Sequence, residues 1–148
     1  MAYSRQEIGE AAYGLASIVV RGRPRDMSLT AVSTLASLDR GGPRRLGELA
    51  AGEGVAQPSM TALVGQMERE GLVERRRDPN DGRVVMVGIT RAGRARLRVR
   101  RRAAAAGFAR LIGELADDEA AALEAAVPAL RHLFDLAAVS SLSALGVA

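Results

Sequence analysis

The chain has 148 residues, 48% of them hydrophobic, with no cysteine, one histidine (His132) and a net charge of +4. That length suits one domain or two small lobes around a packed core. The missing cysteines exclude disulfides, thiolate chemistry and cysteine-bound metal, and a single histidine argues against a histidine-based metal site.

The charge is unevenly spread. Between Gly82 and Gly113 there is no carboxylate, while nine arginines fall there; beyond Gly113 six carboxylates face Arg131 alone. Such a patch reads either as the footprint of a nucleic acid or as solvated helix surface. All basic residues are arginine, which fits a coding bias as well as it fits function.

Ile8, Ala12, Leu15 and Val19 recur at helical spacing, so a first helix is predicted over Arg5 to Arg21. The apolar stretch from Ala11 to Val20 follows Glu7 and Glu10, where a secretory signal would be basic. The uncharged tail from Leu136 to Ala148 is too short to span a bilayer as a helix. A soluble, cytoplasmic protein without membrane contact is therefore expected. After the break "RGRPRD", Thr30 is read as the N-cap of a second helix that turns Val32, Leu35 and Leu38 inward. Gly41, Gly42 and Pro43 end it.

A short helix follows, with Leu46, Leu49 and Ala50 apolar. "GEGV" forms a tight turn, and Pro58 suits the first turn of the next helix, where its missing N–H is not needed. Met60, Leu63, Val64 and Met67 make one inward stripe, and Gly71 closes the helix. Two short helices joined by a tight turn are a helix-turn-helix signature. Val73 to Arg76 and Val84 to Ile89 then read as paired strands around "DPNDG", whose Pro, Asn and Asp-Gly are hairpin turn chemistry. The fold class expected is mainly α (α+β), a winged helix-turn-helix in which this hairpin is the wing.

Thr90 caps a helix expected over Arg91 to Leu115, with seven arginines in its first twelve residues. Arg94, Arg98, Arg101 and Arg102 fall near one face, which is read as a solvated face with a long-range electrostatic role. Phe108, Leu111, Ile112 and Leu115 share a face further on. Asp117 opens a last helix carrying Leu123, Val127, Leu130 and Phe134, which Pro128 is expected to kink or break. Its acidic first turn complements the helix dipole and is not read as paired catalytic acids. Nothing here marks an enzyme, and no cofactor is expected.

With the hairpin placed, "LTAVSTLASL", "LGELAAGEGVAQPSMTALVGQMEREGLVER", "RDPNDGRVVMVGIT" and "RAGR" together resemble the MarR family of transcription regulators over about Leu29 to Gly93. The wing element is the most specific part: Asp81 and Arg83 before an apolar strand, then Thr90 and Gly93. The resemblance implies a homodimer in which residues 1–28 and 91–148 form the dimerisation region and 29–90 the DNA-binding lobe. It implies double-stranded DNA with a palindromic operator as partner, a repressor, and release by a small aromatic or phenolic effector. Two positions depart from the family pattern. Ala56 stands where Ser or Thr often caps the recognition helix, and Ala62 stands where many members carry Arg.

On this reading Gln57, Ser59, Thr61, Ala62, Gln66 and Arg69 face DNA from the recognition helix. Gln can read adenine, Ser and Thr can meet bases or phosphates, and a small Ala permits close approach. Arg75, Arg77 and above all Arg83 serve from the hairpin, since a guanidinium suits a narrow A·T-rich minor groove. By the resemblance, Asp81 orients the wing by pairing with a nearby arginine. Tyr13, Phe108 and Phe134 are candidates to line an effector pocket, although apolar residues at helical spacing are more often core; His132 reads as an interface or surface residue. The competing class is a winged-helix module that binds another protein and not DNA.

Overall fold

The computed structural model describes residues 2–22 and 24–139; the end of the uncharged tail, 140–148, lies outside them. Helix α1 (Arg5–Gly22) leads to α2 (Leu29–Gly41), a two-residue strand β1 (Arg44–Arg45), α3 (Leu46–Gly52) and α4 (Gln57–Arg69). Strands β2 (Val73–Arg77) and β3 (Val85–Ile89) form the hairpin, and α5 (Arg91–Ile112) and α6 (Asp117–Val139) complete the described chain.

The core is confined to the middle of the sequence. Leu35 and Leu38 of α2, Leu49 and Ala50 of α3, and Met60, Val64 and Met67 of α4 close on Leu72, Val73, Val87 and Ile89. The inward stripes of α2 and α4 thus stand where their spacing places them, although Val32, Leu46 and Leu63 are only half-buried. Gly54 supplies the turn between α3 and α4 at φ 63, a left-handed conformation that side chains resist. β2 and β3 pair antiparallel from Val73↔Ile89 to Arg77↔Val85, so Val73, Val87 and Ile89 reach the core.

Four expectations need correction. Ser28, not Thr30, caps α2: its hydroxyl accepts the Ala31 N–H at 3.1 Å, and Thr30 lies within the first turn. The sheet has a third strand, in the order β1-β3-β2, with Arg44↔Val87 and Arg45↔Met86 in register. Helix α5 ends at Ile112, short of Leu115. Pro128 does not break α6, which runs on through it: both Pro128 and Glu124, whose carbonyl loses its N–H partner, are exposed, so water can take the place of the lost bond.

Thr90 caps α5 as its position predicts. Its hydroxyl accepts the Gly93 N–H at 3.0 Å and donates to the Gly71 carbonyl at 2.6 Å. The start of α5 is therefore tied to the end of α4. Gly93 brings the contact closer still: a Cβ there would sit 2.1 Å from the Leu72 carbonyl oxygen and 2.8 Å from Ile89 Cγ1.

Candidate nucleic-acid interface

Helix α4 turns Met60, Val64 and Met67 into the core, which leaves Gln57, Ser59, Thr61, Ala62, Gln66 and Arg69 exposed. Ala56 makes no side-chain cap. Pro58 has no N–H, and the Ser59 N–H reaches the Ala56 carbonyl at 3.0 Å. The uncapped turn thus points few unmet donors at solvent, which softens the missing cap.

Some of these side chains are already engaged. The Thr61 hydroxyl donates back to the Gln57 carbonyl at 2.9 Å, and Gln66 Nε2 donates to Glu70 Oε1 at 2.9 Å. Arg69 lies along its own helix, with Nη1 3.6 Å from where a Cβ on Gly65 would stand. At the end of α4, Glu68 Oε2 pairs with Arg75 Nε at 3.5 Å, linking α4 to the hairpin. Sequence spacing foreshadows Gln66–Glu70, four apart on one helix; the Glu68–Arg75 pair has no such local signal.

The hairpin tip holds itself together. The Asp78 N–H donates to the Val84 carbonyl and the Val84 N–H to the Asp81 carbonyl, each at 2.9 Å. Asp78 Oδ1 accepts the Asn80 N–H at 2.8 Å. Asp81 Oδ1 accepts the Arg83 backbone N–H at 3.0 Å. This corrects the expected Asp81–guanidinium pair: Asp81 fixes the wing through the backbone, and so sets where the Arg83 side chain begins.

The arginines divide into two groups. Arg77 Nη1 donates across the hairpin to the Gly82 carbonyl at 3.1 Å, so Arg77 clamps the wing. Arg75 is held by Glu68, and Arg76 by Glu74 at 2.5 Å. Arg83 is exposed, and among the described contacts its guanidinium has no protein partner. The run Arg91–Arg102 is largely exposed, Arg94, Arg98, Arg101 and Arg102 included, but part of it is engaged within the chain: Arg94, Arg96, Arg100 and Arg101 pair with Asp26 or Asp39. Those two acids were not singled out in the sequence, because their partners lie about 55–75 residues away in the chain.

Among the candidate effector residues, Tyr13 and Phe134 are exposed and Phe108 is half-buried; Phe134 stacks under Arg40, whose guanidinium carbon is 5.9 Å from the ring centre. An open cleft of about 360 Å³ along α6 is lined by Val127, Leu130, Arg131, Phe134 and Asp135. Tyr13 and Phe108 do not line it. No described helix is long and apolar enough to cross a membrane.

A family model described as "MarR family" matches residues 27–85. The uncharacterized HTH-type transcriptional regulator Mb0904 of Mycobacterium bovis is 32% identical over 109 residues, covering 74% of this chain and 76% of that protein. Among solved structures, RV1404 from Mycobacterium tuberculosis superposes with a TM-score of 0.68 at 22% identity, over 89% of this chain and 95% of the other. FabT of Streptococcus pneumoniae, solved in complex with DNA, gives 0.57 at 22% identity, over 89% and 98%. At these identities the two structures show a shared fold.

Proposed function

The chain belongs to the MarR family of transcription regulators, and from that premise we propose that it acts as a homodimer on a palindromic DNA operator. In this reading residues 29–90 are the DNA-binding lobe, and 1–28 with 91–148 join two copies. Helix α4 enters the major groove with Gln57, Ser59, Thr61, Ala62, Gln66 and Arg69 outward, and the wing lays Arg83 in the flanking minor groove. The observation that carries the reading is the contrast on the hairpin. Arg75, Arg76 and Arg77 are each held within the chain, while the self-tied tip presents an Arg83 guanidinium without a partner among the described residues. A basic side chain kept rigid at its root and unpaired at its end suits a phosphate-lined groove.

FabT, on the same fold, was solved with DNA, which supports double-stranded DNA as the partner. The regulator is proposed to be a cytoplasmic repressor and not an enzyme, released by a small aromatic or phenolic ligand. The Arg75 and Arg77 contacts with DNA expected from sequence are proposed as secondary, since both side chains must first leave partners in the chain.

The test is the salt dependence of binding to a palindromic duplex selected by the protein from a random pool. A dimer neutralising roughly six to ten phosphates should lose ~10³–10⁵ in affinity between about 50 and 200 mM salt. A flat response, or failure to enrich any palindrome, overturns the proposal in favour of a protein-binding module.

A further inference from the structure

Four arginines of α5 are spoken for by two aspartates, one at each end of α2. Asp26, just ahead of α2 and held on the lobe by its neighbour Met27, which is buried in that core, takes Arg96 Nη2 at 2.5 Å on one oxygen and Arg100 Nη1 on the other. Asp39, near the end of α2, takes Arg94 Nε at 3.3 Å and Arg101 Nη1 at 3.4 Å, again one on each oxygen.

The placement of these pairs on α5 matters more than their number. Gly93 and Leu97 are the buried residues of α5 and mark the seam along which it meets the lobe. At about 100° per residue, 94 and 101 fall on one flank of that seam, 96 and 100 on the other. Asp26 and Asp39 are separated by the length of α2, about 20 Å at 1.5 Å per residue. A turn of α5 in either sense therefore stretches pairs at one end of α2 or the other. Gly93, pressed on the Leu72 carbonyl, seats the start of α5 on the lobe ahead of these pairs. Arg94, Arg96 and Arg101 are exposed and Arg100 is mostly covered; exposed ion pairs contribute little to stability, so the consequence of these pairs is chiefly orientation.

We propose that Asp26 and Asp39 are positioning residues for DNA recognition, fixing the angle of the winged lobe on α5 and thereby the half-site spacing that the dimer accepts. The inference rests on the reading of the chain as a DNA-binding dimer. In that dimer α5 belongs to the shared dimerisation region and α4 to each lobe. The angle at this joint then sets the distance and rotation between the two recognition helices, and operator spacing mirrors that geometry.

The test uses the full chain and the palindromic duplex that the wild type selects from a random pool, together with versions whose central spacer is one base pair shorter or longer. Wild type should discriminate against the altered spacers about tenfold or more, on the scale of a mismatched base pair. The double variant Asp26→Asn with Asp39→Asn should fall below about threefold discrimination, while still dimerising and still binding its original duplex. Loss of two negative charges strengthens binding to every duplex alike, so the ratio between spacers is unaffected by it. Asp26→Glu with Asp39→Glu keeps the charges and should restore most of the discrimination. A double Asn variant that melts earlier or binds all spacers more weakly, yet discriminates like wild type, overturns the clasp and leaves the proposed function standing. A wild type with no spacing preference overturns both.

Discussion

At the residue scale, the most informative side chain is Arg83, because what surrounds it is tied and it is not. Arg83→Ala should cut operator affinity while leaving thermal stability and assembly unchanged, since no described hydrogen bond or ion pair involves its guanidinium. Arg83→Lys should recover only part, because an ammonium is more strongly hydrated and lacks the planar fork. Titrations on duplexes with A·T-rich and G·C-rich flanks decide it, and equal affinity of wild type and Arg83→Ala on both would remove the wing from the interface. The exposure of Arg83 was legible from the Asp-Gly turn before it. The clamp role of Arg77 was not, because alternation along a strand says which face a residue takes but not whose carbonyl it meets. Glu53 makes a second prediction. Burial pushes its carboxyl above the ordinary value, only partly offset by the Ser33 hydroxyl, which donates to Oε1 at 3.0 Å, and by the charge of Arg40. A raised carboxyl favours the fold below its unfolded pKa, and that contribution is lost as pH rises through the folded value. Charged Glu53 is thus a cost at neutral pH. Glu53→Gln keeps an acceptor for Ser33 and should raise the thermal midpoint at pH 7 while barely changing it near pH 4; a lower midpoint at pH 7 would show that the charge helps.

At the element scale, the periodic segments were legible and the long-range joints were not. Helices α1, α2, α4 and α6 follow from apolar residues three and four apart, and the hairpin follows from its turn. Strand β1 had no local signal: two exposed arginines become a strand only because the outer edge of β3 passes beside them. Ser28 and Thr30 are both good caps, and only the backbone path of "SLT" decides between them. Gly93 was visible as a residue of the wing element, but its reason lies in packing. With the Leu72 carbonyl 2.1 Å from a prospective Cβ, Gly93→Ala must push α5 off the lobe. Overpacking of this kind costs about 1–3 kcal/mol or more, against less than about 1 kcal/mol gained from helix propensity. A net loss is expected, read as a lower denaturation midpoint in urea, together with weaker operator binding because Gly93 seats the start of α5 against Leu72 and Ile89 of the lobe. An alanine variant as stable as wild type would mean that α5 yields freely there, and that the seam does not hold the lobe.

At the scale of the whole molecule, the chain builds one core and leaves two long helices without a share in it. Helix α1 has no buried residue, and Ile8 and Ile18 remain 55% and 56% exposed. On α6, Leu130, Leu133 and Phe134 are all more than half exposed. An apolar stripe on each of two helices, of 18 and 23 residues, is more than a soluble monomer ordinarily leaves to water. The sequence showed these stripes as clearly as it showed those of α2 and α4. It could not show which would be satisfied within the chain, because that depends on how many faces one small lobe can cover. In the proposed homodimer a second copy supplies the missing surface, with like faces meeting about a two-fold axis. Sedimentation at micromolar concentration without DNA should therefore give a dimer. Leu133→Asp sets a carboxylate on the α6 face that a partner would cover, where burial of an unpaired charge is strongly unfavourable. The variant should sediment as a monomer with the winged lobe still folded, because no residue of that core lies on α6. Its operator affinity should fall far more than that of Arg83→Ala, since a monomer holds one half-site where a dimer holds two. A wild-type chain that sediments as a well-folded monomer, or a Leu133→Asp chain that remains dimeric, would place the partner surface somewhere other than α6.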